Sequence, residues 1–242
     1  MMGVPEEDVR SGSWSFGGTT PVIFDDHARQ SIPWYEACHE LIVDLADHLV
    51  PAGGRCYELG CSTGVLTERL AVRLEPRDAE IVGVDYEPAM IELARQRCAR
   101  LPQVRLETAR VEELELERAD LVVSYYTLQF VPSHLRQSVV DRIHAALLPR
   151  GSLILFEKTM AATASGQEMA TAIFHDWKRR QGLSDAEIAA KERSLRGILE
   201  PHSQAENHSL LRHAGFADPV PIFRWLVWDG LLSRVSAETG DR

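Results

Sequence analysis

The feature that most restricts how this chain can fold is a five-residue turn between two different hydrophobic periods. Cys56-Tyr-Glu-Leu59 reads as a short strand, Gly60 to Gly64 as a turn, and Val65 to Leu74 as a helix. The pattern then repeats. Ile81-Val-Gly-Val84 is a second strand that ends at Asp85, and Pro88 opens a helix to about Arg100, proline being suited to a first helical position. Val104 to Leu106 and Leu121-Val-Val-Ser124 read as the third and fourth strands, Pro132 to Leu148 as a helix, and Leu153-Ile-Leu-Phe156 as the fifth strand. Strands alternating with helices predict an α/β fold with a parallel, doubly wound sheet.

The flanks are less regular. Residues 1–20 carry Gly, Ser and Thr with little periodicity and read as a flexible N-terminal arm, in which Trp14 and Phe16 could pack on the domain. From Pro33 to Val50, Tyr35, Cys38, Leu41, Ile42, Leu45 and Leu49 make one helical face, stopped by Pro51-Ala-Gly-Gly54. Residues 160–200 read as two polar helices separated near Gly182-Leu-Ser184, with Ser184 and Glu187 as a capping box. This segment is a candidate lid. Glu206 to Ala214 is a helix stopped by Gly215. Val220 to Trp228 and Leu231 to Val235 predict a closing antiparallel pair around Asp229-Gly230. Residues 21–242 therefore read as one domain with an inserted helical lid.

Composition excludes several roles. A formal charge of −10 would repel nucleic acid, and Lys178-Arg179-Arg180, the one basic cluster, reads as a solvated helix face. No apolar run approaches membrane-span length, and the acidic start has no signal-peptide core, so a cytoplasmic protein is expected. The four cysteines form no CxxC pair and read as buried thiols; with scattered histidines, no metal site is expected.

The chemistry centres on Glu58-Leu-Gly60-Cys-Ser-Thr-Gly64. A turn without bulky side chains lets a ligand approach and offers it backbone N–H groups. Asp85, about 20 residues on at a strand end, suits an acid that accepts hydrogen bonds from ribose hydroxyls. Gly60-x-x-x-Gly64 is not the GxGxxG of nicotinamide enzymes. Glu58, two residues before the first glycine, points instead to S-adenosylmethionine (SAM).

Specific stretches go further: Trp14-Ser-Phe16, Gln30-Ser-Ile-Pro-Trp-Tyr35, Gly60-Cys-Ser62, Pro88-Ala-Met-Ile-Glu92, Thr127-Leu-Gln-Phe130, Glu157-Lys158, His175-Asp-Trp-Lys-Arg179 and Ala214-Gly-Phe216. From about Trp14 to its end the chain resembles the carboxy-S-adenosylmethionine synthases, a branch of the class I SAM-dependent methyltransferases. The resemblance implies a Rossmann-like, seven-stranded sheet with parallel strands and a C-terminal antiparallel hairpin. It also implies a homodimer with the lid near the partner's site. It places SAM contacts at Tyr35, Gly60, Cys61, Ser62, Asp85 and Tyr86, and near Arg110, Val111 and Tyr125. Glu58 and Gly64 complete the expected cofactor set.

Three positions depart from that family. Ala109-Arg110 stands where an acid meets the adenine amine, Tyr125 where an asparagine lies beside the sulfonium, and Glu192 where an arginine holds a carboxylate. Only a one-residue shift would bring Arg193 to that role, and on this basis prephenate is not expected as a substrate. Trp34, Tyr35, Tyr125 and Tyr126 could cage a sulfonium, since aromatic faces stabilise cations; Trp34 and Tyr126 read equally well as core. Alternation along the strand predicts that only one of Tyr125 and Tyr126 reaches the site, and Tyr125 is the one expected. His175-Asp176 is either a general-base pair or a surface feature. Trp225 and Trp228 are expected to pack across the hairpin. Catalytic candidates are thus Tyr125, Tyr126, His175 and Arg193. The expected activity is alkyl, most simply methyl, transfer from SAM to a small molecule. The alternatives are cyclisation of SAM to azetidine-2-carboxylate and methylthioadenosine, carboxy-SAM synthesis, or a SAM-sensing module without catalysis.

Overall fold

Strand residues of this chain are apolar on both sides, which leaves a sheet no solvent face and requires helices above and below it. The computed structural model, which describes residues 11–12, 15–18, 20–217 and 219–236, shows that arrangement. Seven strands form one sheet: β1 (Arg55–Leu59), β2 (Glu80–Asp85), β3 (Val104–Thr108), β4 (Ala119–Tyr125), β5 (Leu147–Lys158), β6 (Val220–Trp225) and β7 (Trp228–Arg234). Their order is β3-β2-β1-β4-β5-β7-β6. β1 to β5 pair in parallel; β7 is antiparallel to both β5 and β6, so it alone runs against the rest.

The helices are α1 (Thr20–Ser31), α2 (Tyr35–Leu49), α3 (Val65–Leu74), α4 (Pro88–Arg97), α5 (Ser133–Ala146), α6 (Ala164–Arg180), α7 (Asp185–Leu195) and α8 (Gln204–His213). The two-residue period of the strands sorts the core into two layers. Cys56, Ile81, Leu121, Val123, Ile154 and Phe156 pack with Ile42 of α2, Leu70 of α3 and Phe174 of α6. Their neighbours Tyr57, Val82, Val122, Leu153 and Leu155 face the other way, onto Val140 of α5 and Leu211 of α8. Each fully buried leucine or phenylalanine here contributes about 2–5 kcal/mol against truncation to alanine.

The hairpin differs from the sequence expectation. Its turn is Leu226-Val227, with Leu226 at φ 53°, and Asp229-Gly230 lies inside β7. Gly230 is there for space: a Cβ would stand 2.6 Å from Phe156 Cε1. Trp225 and Trp228 do pair across the hairpin. α1 was not visible as a helix because it buries only Pro21 and Ala28. It is fastened by ions instead, Asp25 to Arg97 at 2.6 Å and Arg29 to Glu36 at 2.8 Å. The Ser184–Glu187 capping box is formed, and Ser203–Glu206 makes a second at the start of α8. Phe16 packs edge-on against Phe130 at 5.1 Å; Trp14 and residues 1–10 lie outside the described residues. Among the described residues no helix is long and apolar enough to cross a membrane.

Two acids sit deep in this fold, Glu58 on β1 and Glu157 on β5, each 3% exposed. Burial pushes both carboxyls up to about 8. Raised folded-state values favour the protonated form, so their contribution to stability is complete below the ordinary glutamate range and is lost as pH rises through about 8. Urea melts should therefore show the protein less stable at pH 9 than at pH 6. Glu157→Gln, which keeps the shape and cannot ionise, should shrink that difference; an unchanged difference would show that Glu157 does not contribute to it.

Candidate active site

The strand order reverses at β1, whose neighbours β2 and β4 are reached by connections in opposite directions. In open α/β sheets the crevice at such a point, beyond the strands' C-terminal ends, receives ligands. Here it is a cavity of about 260 Å³. Its floor comes from strand ends: Glu58 of β1, Asp85 of β2, Tyr125 of β4 and Lys158 of β5. Gly60, Cys61, Ser62, Tyr35 and His39 of α2, and the 109–112 segment form the sides. Phe24 and His27 of α1, Phe174 and Lys178 of α6, Lys191 and Glu192 of α7, and Phe16 close it.

The turn is built differently from its expected role. Its N–H groups are spent inside the protein: Gly60 and Cys61 donate to the Val84 carbonyl at 2.8 and 2.9 Å, and Ser62 donates to Asp85 at 2.9 Å. The turn offers space and held acids, not free amides. Gly60 sits at φ 74°, and a Cβ on it would lie 2.2 Å from Thr127 Oγ1. That hydroxyl donates to the Leu59 carbonyl at 2.8 Å, tying the segment after β4 to the end of β1. Gly64 does not line the cavity. It caps α3 at φ 80°, and a Cβ there would be 2.9 Å from Ala94 Cβ. Its glycine serves helix packing.

Asp85 is held at both of its carboxylate oxygens. One carboxylate oxygen accepts from Ser62 N–H and the other from Glu87 N–H, both at 2.9 Å, and burial raises its pKa. Glu58 accepts from the Thr67 hydroxyl. Tyr86 is 43% exposed beneath the Arg110 guanidinium, whose Cζ is 5.3 Å from the ring centre. Ala109, Arg110 and Val111 line the same end.

Both tyrosines reach the cavity, contrary to strict alternation. Tyr125 is the last residue of β4, and Tyr126 turns into the left-handed region at φ 56°, which swings its side chain back to the same side. Their rings lie 4.6 Å apart. Tyr35 stands 5.9 Å from Tyr125. Trp34 is no cage member: it is 59% exposed and absent from the walls. His39, which periodicity marked only as a helix residue, sits between Tyr35 at 4.2 Å and Tyr125 at 4.8 Å. It is 1% exposed with neither ring nitrogen partnered among the described residues, and burial lowers its pKa to about 3, so the imidazole is neutral. The sequence signal was a polar residue on an apolar helix face.

Two lid expectations change. His175 is bonded to Glu192, while Asp176 pairs with Arg179 at 2.6 Å, so His175 and Asp176 are not a couple. His175 does not line the cavity, and Arg193 is exposed and also outside it; Glu192 is on the wall. Lys178 is 5% exposed and part of the wall, unlike the solvated face expected of its cluster. Trp228 reaches the cavity as well. All four cysteines are buried thiols.

Gly60→Ala should be destabilising by roughly 1–3 kcal/mol from the left-handed backbone alone, with the Thr127 overlap added. Thr127→Ala removes the two nearest atoms and leaves its Cβ at 2.9 Å, so the double variant should be less destabilised than the sum of the singles. Additive losses in denaturant titrations would show that the two positions are not coupled.

Comparison with known proteins agrees with this architecture. Residues 57–151 match the family model of a methyltransferase domain. Carboxy-S-adenosyl-L-methionine synthase of Geobacter sp. (strain M21) is 36% identical over 208 residues, 84% of this chain and 85% of the relative. The Sulfurimonas denitrificans protein of the same name is 32% identical over 213 residues, 88% and 90% of the two chains. A putative O-methyltransferase from Nostoc punctiforme superposes with a TM-score of 0.65 at 18% identity, over 93% of this chain and 62% of its own. Human N-acetylserotonin methyltransferase in complex with SAM gives 0.59 at 16%, over 95% and 64%. This chain thus spans less than two thirds of those two structures, which share its fold. By its similarity along most of its length to the synthases, the chain belongs to the carboxy-S-adenosyl-L-methionine synthase family of class I SAM-dependent methyltransferases.

Proposed function

We propose that this enzyme transfers an alkyl group, most simply methyl, from SAM to a small molecule held in the same cavity. The observation that carries this reading is the sequence of surfaces along the crevice: acids at the β1 and β2 ends, an aromatic group around Tyr125, and further lined space beneath the lid. The residues fit SAM. Asp85 is oriented by two amides and keeps lone pairs for ribose hydroxyls. Glu58 is a buried acid that, among the described residues, has no cation paired with it, and an ammonium or sulfonium would favour its ionised form. Tyr86 and the Arg110-Val111 segment form an edge for a flat base.

When bound, SAM supplies an alkyl group activated by a positively charged sulfur. The chain's own contribution is position and environment. Tyr35 and Tyr125 present rings that accommodate a cation without hydrating it. The unpartnered nitrogens of His39 give the cage one neutral hydrogen-bonding point. Phe16, α1, α6 and α7 keep water away, so that in-line attack is favoured by alignment and dryness. The proposal takes the enzyme as cytoplasmic and homodimeric; Met169 and Ile173, exposed one turn apart on α6, support a contact face.

Carboxy-SAM formation is the second reading, favoured by the name shared by the relatives. Glu192 argues against it, since the acid stands on the cavity wall and engages His175.

Incubation of pure protein with SAM, then mass spectrometry, separates these readings. Methyl transfer predicts no turnover until an acceptor is added, and then S-adenosylhomocysteine. Methylthioadenosine from SAM alone would establish cyclisation, and carboxy-SAM on addition of prephenate would establish the synthase. Within the transfer reading, Tyr125→Ala should lower SAM affinity by about 0.5–2 kcal/mol and Tyr125→Phe should retain it if the ring acts as a cation face.

Asp85→Ala should weaken SAM by roughly 1.5–3 kcal/mol for each charge-assisted hydrogen bond lost. A calorimetric titration showing unchanged affinity would remove Asp85 from the binding site.

A further inference from the structure

Of the nine histidines, His39 alone is buried among the described residues. It stands on the apolar face of α2, between Tyr35 one turn before it and Val43 one turn after. A hydrocarbon there would need no partner, whereas a neutral imidazole brings one N–H donor and one lone pair that do. Neither nitrogen has a partner among the described residues, and the ring is part of the cavity wall. The groups around it are committed elsewhere. The Tyr125 hydroxyl donates to the Tyr35 carbonyl at 3.5 Å. Arg29, Glu36 and Arg69, the charges that act on the imidazole, are paired with one another. Glu58, the buried acid of the same cavity, is engaged by the Thr67 hydroxyl.

We propose that His39 is the base of the transfer, and that the group receiving the alkyl is a hydroxyl on an apolar body. The inference rests on the transfer reading above and names its nucleophile. The C–S bond of SAM breaks and leaves its electron pair on sulfur. The hydroxyl oxygen forms the new bond to the alkyl carbon, and its proton passes to the imidazole lone pair. S-adenosylhomocysteine, an ether and an imidazolium result, and the imidazolium later returns its proton to water. The positive charge is moved, not created: the sulfonium loses it as the imidazole gains it. Tyr35 and Tyr125, whose ring centres lie 4.2 and 4.8 Å from that of His39, face the charge in both places. Burial lowers the His39 pKa to about 3, so the lone pair is present beforehand. A bound sulfonium keeps it neutral, and discharge of that cation raises its basicity as the new bond forms. An amine would arrive as an ammonium and be repelled by the sulfonium, and a carboxylate has no proton to give. A hydroxyl is neutral, and it is a weak nucleophile until a base takes its proton.

The probes are 4-methylphenol and its O-methyl ether, 4-methylanisole, titrated calorimetrically into the protein saturated with S-adenosylhomocysteine. The phenol should bind the wild type at least about tenfold more tightly than the ether, which has no hydrogen to donate. That preference should vanish in His39→Phe and persist in His39→Gln, whose amide still accepts a hydrogen bond. With SAM present, the wild type should convert 4-methylphenol to 4-methylanisole and release S-adenosylhomocysteine in equal amount. His39→Gln should slow this at least about 100-fold while binding the phenol within about threefold, because an amide cannot take the proton. Both variants should keep the native circular-dichroism melt and S-adenosylhomocysteine affinity within about threefold. Equal binding of phenol and ether, or no binding of the phenol, would overturn the proposal. So would binding without alkylation, which would leave His39 a docking group, or full turnover in His39→Gln with loss in Lys191→Met, which would give the proton to the lysine. Loss of S-adenosylhomocysteine affinity in both His39 variants would also overturn it, by placing the imidazole against the cofactor. Failure of the transfer reading shows separately, as no binding of S-adenosylhomocysteine by the wild type or as turnover of SAM without any acceptor.

Discussion

Thr127 occupies the volume that a side chain at position 60 would need, and the rest of the site depends on that exchange. With its hydroxyl on the Leu59 carbonyl, the segment after β4 is drawn across the end of β1. Tyr125 and Tyr126 are thereby set next to the glycine turn. Gln129 continues the closure by donating to the Tyr126 carbonyl at 3.2 Å and accepting from Lys158 N–H at 2.9 Å. Arg136, 1% exposed, holds the carbonyls of Gln129 and Val131 from below. A left-handed residue at Tyr126 is affordable only because these bonds over-determine the segment.

The cavity so formed is chemically graded. Acids gather at the β1 and β2 ends, aromatic rings and an uncharged imidazole fill the middle, and lysines gather beneath α6 and α7. No single strand or helix produces this order. It follows from the strand sequence β2-β1-β4-β5, which places residues far apart in the chain along one line.

Much of the architecture could be read from the chain because it is written in local periods. β1, β2 and α3 follow from Cys56 to Asp85, and the caps at Ser184 and Gly215 mark real ends. What escaped was set by tertiary contact. α1 has almost no apolar face, so no period announces it. Asp229-Gly230 has the composition of a turn, yet Phe156 needs the glycine within a strand. The strand rule excluded Tyr126 because one backbone rotation at its φ cannot be seen in a list of residues. Lys158, Lys178 and Lys191 reach one wall from three separate elements, and the His39 ring lies between two tyrosines, placements that no local period carries.

The fastening of α1 has a consequence for its response to salt. That helix supplies part of the roof, yet it buries only Pro21 and Ala28 and is moored by Asp25 to Arg97 and by Arg29 to Glu36. Apolar packing is not weakened by charge screening, whereas partly exposed ion pairs weaken as counterions screen them. The roof and the core therefore answer to different properties of the medium. Rising ionic strength weakens the moorings of α1 and leaves the packing of the sheet beneath it in place.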